Sequence, residues 1–116
     1  MAVPIHEAKA ELFRTLGHPV RIRVLELLSE RDHAVHEMLK VVESEPSALS
    51  QQLGVLRRAG LIRQRRLAGE VVYTLLVPEL RDVLVAARAM LSRRLADAAL
   101  LAAALDDEPL APRSLP

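Results

Sequence analysis

Cysteine is missing from this chain of 116 residues. Its absence excludes disulfide bonds, thiolate metal sites and nucleophilic thiols together. Aromatic residues are almost as scarce, because Phe13 and Tyr73 are the only two and there is no tryptophan. Surfaces that stack single-stranded nucleic acid need several exposed rings, so that kind of binding site is not expected here.

Long apolar runs are missing as well. No stretch reaches the ~18 continuous apolar residues of a membrane span, and residues 1–7 have no basic segment leading into an apolar one. We therefore expect a soluble, cytoplasmic protein. The four glycines are scattered, so no phosphate-binding loop is predicted, and neither a carboxylate pair nor a serine with a suitably spaced histidine suggests catalysis. An enzyme is the least expected class of protein.

The chain as a whole carries almost no net charge, because it has 16 basic and 15 acidic residues. One segment departs from this balance. Between Pro46 and Gly69 there is no aspartate or glutamate, but there are five arginines: Arg57, Arg58, Arg63, Arg65 and Arg66. Such a positive stripe indicates a surface for a polyanion, the alternative being an arginine face that only meets solvent.

Apolar spacing predicts two helices that meet at a tight corner. The first covers residues 8–16 and ends at Gly17, and the second begins at Pro19, which is well tolerated in a first turn. The second helix is expected to fray near Ser29. These helices supply part of one small core.

The next two predicted helices form a helix-turn-helix candidate. Asp32 is the expected N-cap of the third helix, which is short and carries a buried stripe: Val35, Met38, Leu39 and Val42. Ser44 is the expected cap of the fourth, with Pro46 in its first turn and Gly60 as its stop. Its predicted inner face is Leu49, Leu53 and Leu56.

A β-hairpin is predicted after the fourth helix, with strands over residues 61–67 and 71–76 and a turn at the glycine of residues 68–70. A long helix over residues 78–105 follows, and its apolar stripe is larger than the core of one small domain needs. The predicted fold class is therefore mainly α with a small β-hairpin, a winged helix-turn-helix in the order α-α-α-α-β-β-α. We expect a homodimer through the first and last helices, one domain over residues 1–105, and a disordered tail over residues 106–116.

A helix of this kind fits the major groove of duplex DNA, where exposed polar side chains reach base edges. The candidates for base contacts are Ser47, Ser50, Gln51 and Gln52, with Ala48 on the same outward surface. The arginines expected to meet phosphates, and so to give affinity without sequence preference, are Arg57, Arg58, Arg65 and Arg66.

Four segments resemble one known family. They are LGHPVRIRVL at residues 16–25, SALSQQL at 47–53, LRRAGLI at 56–62 and GEVVYTL at 69–75. Together they look like the ArsR/SmtB family of winged-helix transcriptional repressors, over residues 8–90. The resemblance implies a homodimer on an operator of two-fold symmetry, whose affinity for DNA is set by a small ligand, most often a metal ion. Wings of this family frequently carry a basic residue where this chain has Glu70, so the wing tip is expected to contribute little.

The metal sites that the resemblance implies are largely absent from the sequence. Some relatives use cysteines of the third helix, and others use an Asp-x-His and a His-x-x-Glu of the last helices, where this chain has Val77, Glu79, Met90 and Arg93. Two histidines remain of interest, because His33 and His36 lie three residues apart at the predicted start of the third helix, and His36 matches a family cysteine position.

Imidazole with carboxylate suits nickel or zinc. The possible additional ligands are Asp32, Glu37 and His6. The alternative is that both histidines are solvated surface residues. Three functions therefore stay open: a repressor controlled by nickel or zinc, a metal-independent regulator controlled by a partner protein, and a protein-interaction module with vestigial DNA binding.

Overall fold

The computed structural model describes residues 2–106 and contains five helices and three strands in this range. The helices are α1 (Ile5–Leu16), α2 (Pro19–Glu30), α3 (Val35–Leu39), α4 (Pro46–Arg58) and α5 (Leu80–Asp106). The strands are β1 (His33–Ala34), β2 (Ile62–Leu67) and β3 (Glu70–Leu75). The predicted fold class, mainly helical with a small β-hairpin, is confirmed, and β1 is an addition to it.

The corner between α1 and α2 is built as the sequence predicts. Gly17 follows the last residue of α1, and Pro19 is the first residue of α2. The Nδ1 atom of His18 accepts a hydrogen bond of 3.1 Å from the backbone N–H of Val20, one of the groups that a helix start leaves without a partner. His18 is therefore an N-cap.

The start of the third helix was predicted wrongly. Residues 33 and 34 are extended and pair with β3 in the register His33↔Tyr73 and Ala34↔Val72, so the helix begins only at Val35. Asp32 does not cap it. The backbone N–H of Ala34 instead donates to the Oε1 atom of Glu37 at 2.9 Å, which is one half of a capping box.

The predicted cap of the fourth helix is also wrong by one residue. Glu45 is the N-cap of α4, and the hydroxyl of Ser44 donates to the carbonyl of Glu45 at 3.2 Å. The rest of that prediction holds, because Pro46 is in the first turn and Gly60, just beyond the end of the helix, has a φ of +77°.

The hairpin of β2 and β3 turns at Ala68 and Gly69, which have φ values of 52° and 82°. Two central residues with positive φ are what a two-residue hairpin turn of type I′ requires. The strands pair from Ile62↔Leu75 at the base to Leu67↔Glu70 beside the turn. Strand β3 lies in the centre of the antiparallel sheet, in the order β1-β3-β2.

Residues 2–84 form the described part of one compact unit, with the core between α2, α3, α4 and the sheet. The fully buried side chains at its centre are Val24, Leu25, Met38, Leu49, Leu53, Leu56, Ile62 and Leu80. Burial of such side chains is the main term that stabilises the unit. The three leucines of α4 thus fix which face of that helix turns outward.

Residues 85–106, the described part of a second unit, continue α5. Large apolar side chains of the predicted stripe are exposed there, Leu95 to 72% and Leu101 to 63%. The predicted apolar stripe is therefore present on a helix. The predicted disordered tail, residues 106–116, lies outside the described residues except for Asp106. None of the helices within residues 2–106 has the length and the apolar character of a membrane span.

Candidate nucleic-acid interface

The outward face of α4 is defined by four positions at the spacing i, i+4, i+7 and i+11. They are Ser47, Gln51, Gly54 and Arg58. Residues at this spacing share one face of an α-helix, and the buried leucines lie on the opposite one. Ser50 is exposed on the flank of this face, whereas Ala48 is partly buried. We call Ser47, Gln51, Gly54 and Arg58 the α4 stripe.

Gln52 does not belong to the α4 stripe. Its Oε1 atom accepts a hydrogen bond of 2.7 Å from the Nε atom of Arg21 on α2. The Nη1 atom of the same arginine donates to the backbone carbonyl of Thr15 at 3.0 Å. Arg21 therefore joins the end of α1, α2 and α4, and the side-chain oxygen of Gln52 is already used within the protein. The predicted pairing of this amide with a base is not supported.

The arginines of α4 are available for a ligand. Arg57 and Arg58 occupy the last turn of the helix and are exposed, and in the described part of the chain neither has an ion pair or side-chain hydrogen bond. Cations at this end complement the partial negative charge of the helix C-terminus. Two full positive charges thus belong to residues of the last turn of α4.

The hairpin arginines do not form one surface. Successive side chains of a strand point to opposite faces, and the register pairs Arg65 with Val72 but Arg66 with Val71. Arg63 and Arg65 therefore share one face, and Arg66 lies on the other. The predicted stripe of five arginines is continuous in sequence but divided in space.

Arg65 is also partly neutralised. Its Nη2 atom lies 2.6 Å from Oδ2 of Asp32, the residue just before β1. The hydrogen bond from Arg65 holds the pKa of the Asp32 carboxyl below its usual range, so the pair is charged at neutral pH. Sequence reasoning missed this contact, because the segment around Arg65 contains no acid and Asp32 comes close only through the β1–β3 pairing.

The acidic residue expected to weaken the wing tip is exposed beside the turn. Glu70 pairs across the hairpin with Leu67, and its Oε1 atom is 3.5 Å from Nδ1 of His36. Glu70 on the hairpin and Asp32, which pairs with Arg65, thus place two carboxylates close to the hairpin arginines. A phosphate approaching this hairpin would meet both signs of charge.

The predicted metal ligands are not brought together. His33 is buried in β1, and its Nδ1 atom is 2.9 Å from the carbonyl oxygen of Arg31, to which it donates. His36 is exposed on α3. The expectation that the two rings share one helix face was therefore wrong, because only one of them is on a helix.

Two of the three possible additional ligands are already bound to neighbouring residues. Asp32 pairs with Arg65, and Glu37 binds Ala34 and, at 3.0 Å, Arg31. The backbone hydrogen bond from Ala34, aided by Arg31, lowers the pKa of Glu37 to about 2. His6 is exposed on α1. Within residues 2–106 of a single chain, no three His, Asp or Glu side chains are arranged to hold a metal ion.

Comparison with known proteins gives consistent matches. The family described as "Bacterial regulatory protein, arsR family" matches residues 18–64. An uncharacterized HTH-type transcriptional regulator of Mycobacterium tuberculosis, Rv0081, is 50% identical over 95 residues, which cover 81% of this chain and 83% of that protein. Its crystal structure has a TM-score of 0.73 at 48% identity and covers 84% of this chain and 99% of that chain.

Three further matches cover between 57% and 82% of the chain. The biofilm growth-associated repressor of Xylella fastidiosa is 39% identical over 66 residues, 57% of this chain and 58% of that protein. The crystal structure of the repressor BigR from that organism has a TM-score of 0.69 at 32% identity, over 73% of this chain and 87% of that one. A homodimeric winged helix-turn-helix domain from Mycobacterium bovis, at 20% identity and a TM-score of 0.65 over 82% of this chain and 94% of that one, shares the fold.

Proposed function

Since the chain belongs to the ArsR family of bacterial transcriptional regulators, and is therefore a DNA-binding regulator and not an enzyme, we propose that it represses transcription as a homodimer on an inverted-repeat operator. Each protomer would insert α4 into the major groove of one half-site. A two-fold dimer presents two such helices, so the operator would share its symmetry.

The α4 stripe is the observation that carries this proposal. Its side chains point away from the core leucines of the same helix, and neither Arg58 on the stripe nor Arg57 beside it has a side-chain partner in the described residues. Ser47, Ser50 and Gln51 are of a size and polarity to meet base edges. Arg57 and, from the hairpin, Arg66 would contact phosphates and position the helix.

Exposed apolar side chains support the dimer. On α1, Ile5 is 70% and Phe13 is 59% exposed. The part of α5 after residue 84 also exposes seven large apolar side chains: Val85, Met90, Leu91, Leu95, Leu100, Leu101 and Leu105. Exposed apolar patches of this extent mark protein contacts, and a homodimer covers equivalent faces of both copies. The winged helix-turn-helix domain from Mycobacterium bovis, which shares this fold, is a homodimer.

We propose that control of DNA binding does not require a metal ion and passes through another ligand or an accessory protein. This version is favoured because His33, Asp32 and Glu37 are each already bound to a neighbouring residue. Nickel or zinc control is the second candidate, because His36 presents an exposed imidazole next to the Glu70 carboxylate.

Binding to duplex DNA from the gene's own upstream region tests the proposal. We expect a dimer by sedimentation and an affinity that falls steeply with salt, because phosphate contacts release counterions. A protein that stays monomeric, or that binds no such duplex at low salt, would contradict it. Titration of nickel and zinc into the wild type and a His33→Ala/His36→Ala double variant separates the two versions: only metal control predicts a change of affinity that the double variant loses.

A further inference from the structure

A glycine lies in the middle of the α4 stripe, at a position where glycine does not stabilise a helix. Gly54 is eight residues from the start of α4 and four from its end, and its φ is not in the left-handed region. Glycine in a helix interior is unfavourable relative to alanine, because it loses more backbone freedom on folding. The position therefore indicates a need for space or close approach.

The space at Gly54 is filled by Arg58. The Nη1 atom of Arg58 lies 3.1 Å from the point that a β-carbon on Gly54 would occupy, and its Cζ and Nη2 atoms lie 3.8 Å from that point. Long helical side chains lean toward the N-terminus, over the residue four positions earlier. The guanidinium is thus carried about one turn back along the helix, to the middle of the outward face.

This location differs from that of the neighbouring arginine. Arg57 follows buried Leu53 by four residues, so it emerges at the flank of α4, where a groove-bound helix faces the phosphate backbone. Arg58 follows Gly54 by four and lies on the stripe with Ser47 and Gln51. In the described residues its guanidinium has no hydrogen bond or ion pair, so its fork of donors is free.

We infer that Arg58 is a specificity-determining residue that reads a guanine in the major groove, and that Gly54 is the gap that lets its guanidinium lie there. A planar guanidinium donates two parallel hydrogen bonds to O6 and N7 of guanine, the commonest specific contact in the major groove. The inference rests on the proposed function, since it assumes that α4 enters that groove. It replaces the expectation that Arg58 meets a phosphate.

Selection from a randomised duplex library with the full-length protein tests the inference. We expect the wild type to enrich a symmetric site with a G·C pair in each half, and Arg58→Ala to lose preference at that pair alone. Discrimination there should fall by about 5- to 150-fold, the range of one bidentate contact. Replacing that guanine by 7-deazaguanine, which lacks the N7 acceptor, should weaken the wild type and leave Arg58→Ala unaffected.

Arg57→Ala is the matched control, because it removes the same charge from the adjacent position. We expect it to weaken binding to all sequences alike and to lower the slope of log affinity against log salt by about one. If Arg58→Ala behaves in the same way, with every base preference intact, the inference is overturned while the proposed function stands. If the wild type enriches no sequence, the proposed function itself fails.

Gly54→Ala tests the role of the gap without touching the arginine. The added methyl group would displace the flexible end of Arg58, whose Nη1 atom is the nearest neighbour, so folding should not suffer. We expect a higher Tm together with weaker discrimination at the same G·C pair. A higher Tm with unchanged discrimination would show that the position of Arg58 does not depend on Gly54, and would overturn that part of the inference.

Discussion

Helix α4 and the β2–β3 hairpin carry the same kind of charge in two different arrangements. On α4, Arg57 and Arg58 are exposed at the end of a face that the core leucines turn outward. On the hairpin, alternation sends Arg65 and Arg66 to opposite faces, and Asp32 neutralises Arg65. A run of arginines thus becomes one exposed positive surface only where the local periodicity and the neighbouring elements allow it.

The comparison also assigns different tasks to the two regions. Helix α4 combines two arginines that have no side-chain partner within residues 2–106 with the polar side chains of the α4 stripe, which is the combination that major-groove reading needs. The hairpin mixes cations with Asp32 and Glu70, so its net attraction for phosphate is small. We therefore expect most of the affinity for DNA to come from α4.

Removing the arginines of each region is the most direct test of the difference between α4 and the hairpin. We expect Arg57→Ala/Arg58→Ala to weaken operator binding by about 100-fold or more, and Arg65→Ala/Arg66→Ala to weaken it by less than about tenfold. Both double variants remove two charges, so the overall electrostatic loss is matched. Fluorescence anisotropy with a labelled operator measures the difference, and equal losses would mean that the hairpin contributes as much as the helix.

The hydrogen bond from Arg21 to Gln52 joins α2 to α4, and we expect its loss to lower stability. Arg21→Ala removes two hydrogen bonds of a charged donor, so we expect the free energy of unfolding to fall by about 1.5–3 kcal/mol. Arg23→Ala is the control, because the one side-chain contact of exposed Arg23 with residues 2–106 is its 3.4 Å ion pair with Glu26. Urea denaturation compares the two, and an equal cost for both variants would show that the link does not stabilise the helix.

Removing Asp32 from the Asp32–Arg65 pair should make the hairpin more positive, as α4 is. Asp32→Asn removes the carboxylate that neutralises Arg65, so we expect operator affinity to rise by about threefold to tenfold at low salt. Stability should change by less than about 1 kcal/mol, since both partners are partly exposed. Glu43→Gln, an equal charge change at an exposed residue between α3 and α4, controls for net charge. An equal rise in affinity from Glu43→Gln would argue against a local effect.

The sequence predicted those elements whose signals are local. The hairpin turn depends on Gly69 and on the alternation beside it, and α4 depends on Pro46, Gly60 and three leucines at helical spacing. These features are decided by residues within a few positions of one another. The prediction of an outward polar face on α4 followed from the same spacing and holds for Ser47 and Gln51.

The sequence failed where a distant partner decides the structure. Residues 33 and 34 join the sheet because they pair with β3, which is far along the chain. No residue near them in the sequence indicates a strand, whereas the apolar spacing that follows indicates a helix. The neutralisation of Arg65 depends on the same pairing, and the loss of Gln52 to Arg21 depends on how α2 packs against α4. Gly54 was a local signal that could have pointed to the position of Arg58.

The start of α3 gives the smallest effect and a dependence on pH. The Glu37 carboxylate binds the Ala34 N–H and Arg31, which lowers its pKa from 4.5 to about 2 in the folded protein. A lowered pKa means that the contribution to stability is complete above pH 4.5 and is lost as the pH falls toward about 2. Glu37→Gln should therefore lower Tm slightly at pH 7 and make the decline of Tm below pH 4.5 shallower. Because this contact lies beside the hairpin and not on α4, operator affinity at pH 7 should change little, and a large loss would place the start of α3 in the DNA contact.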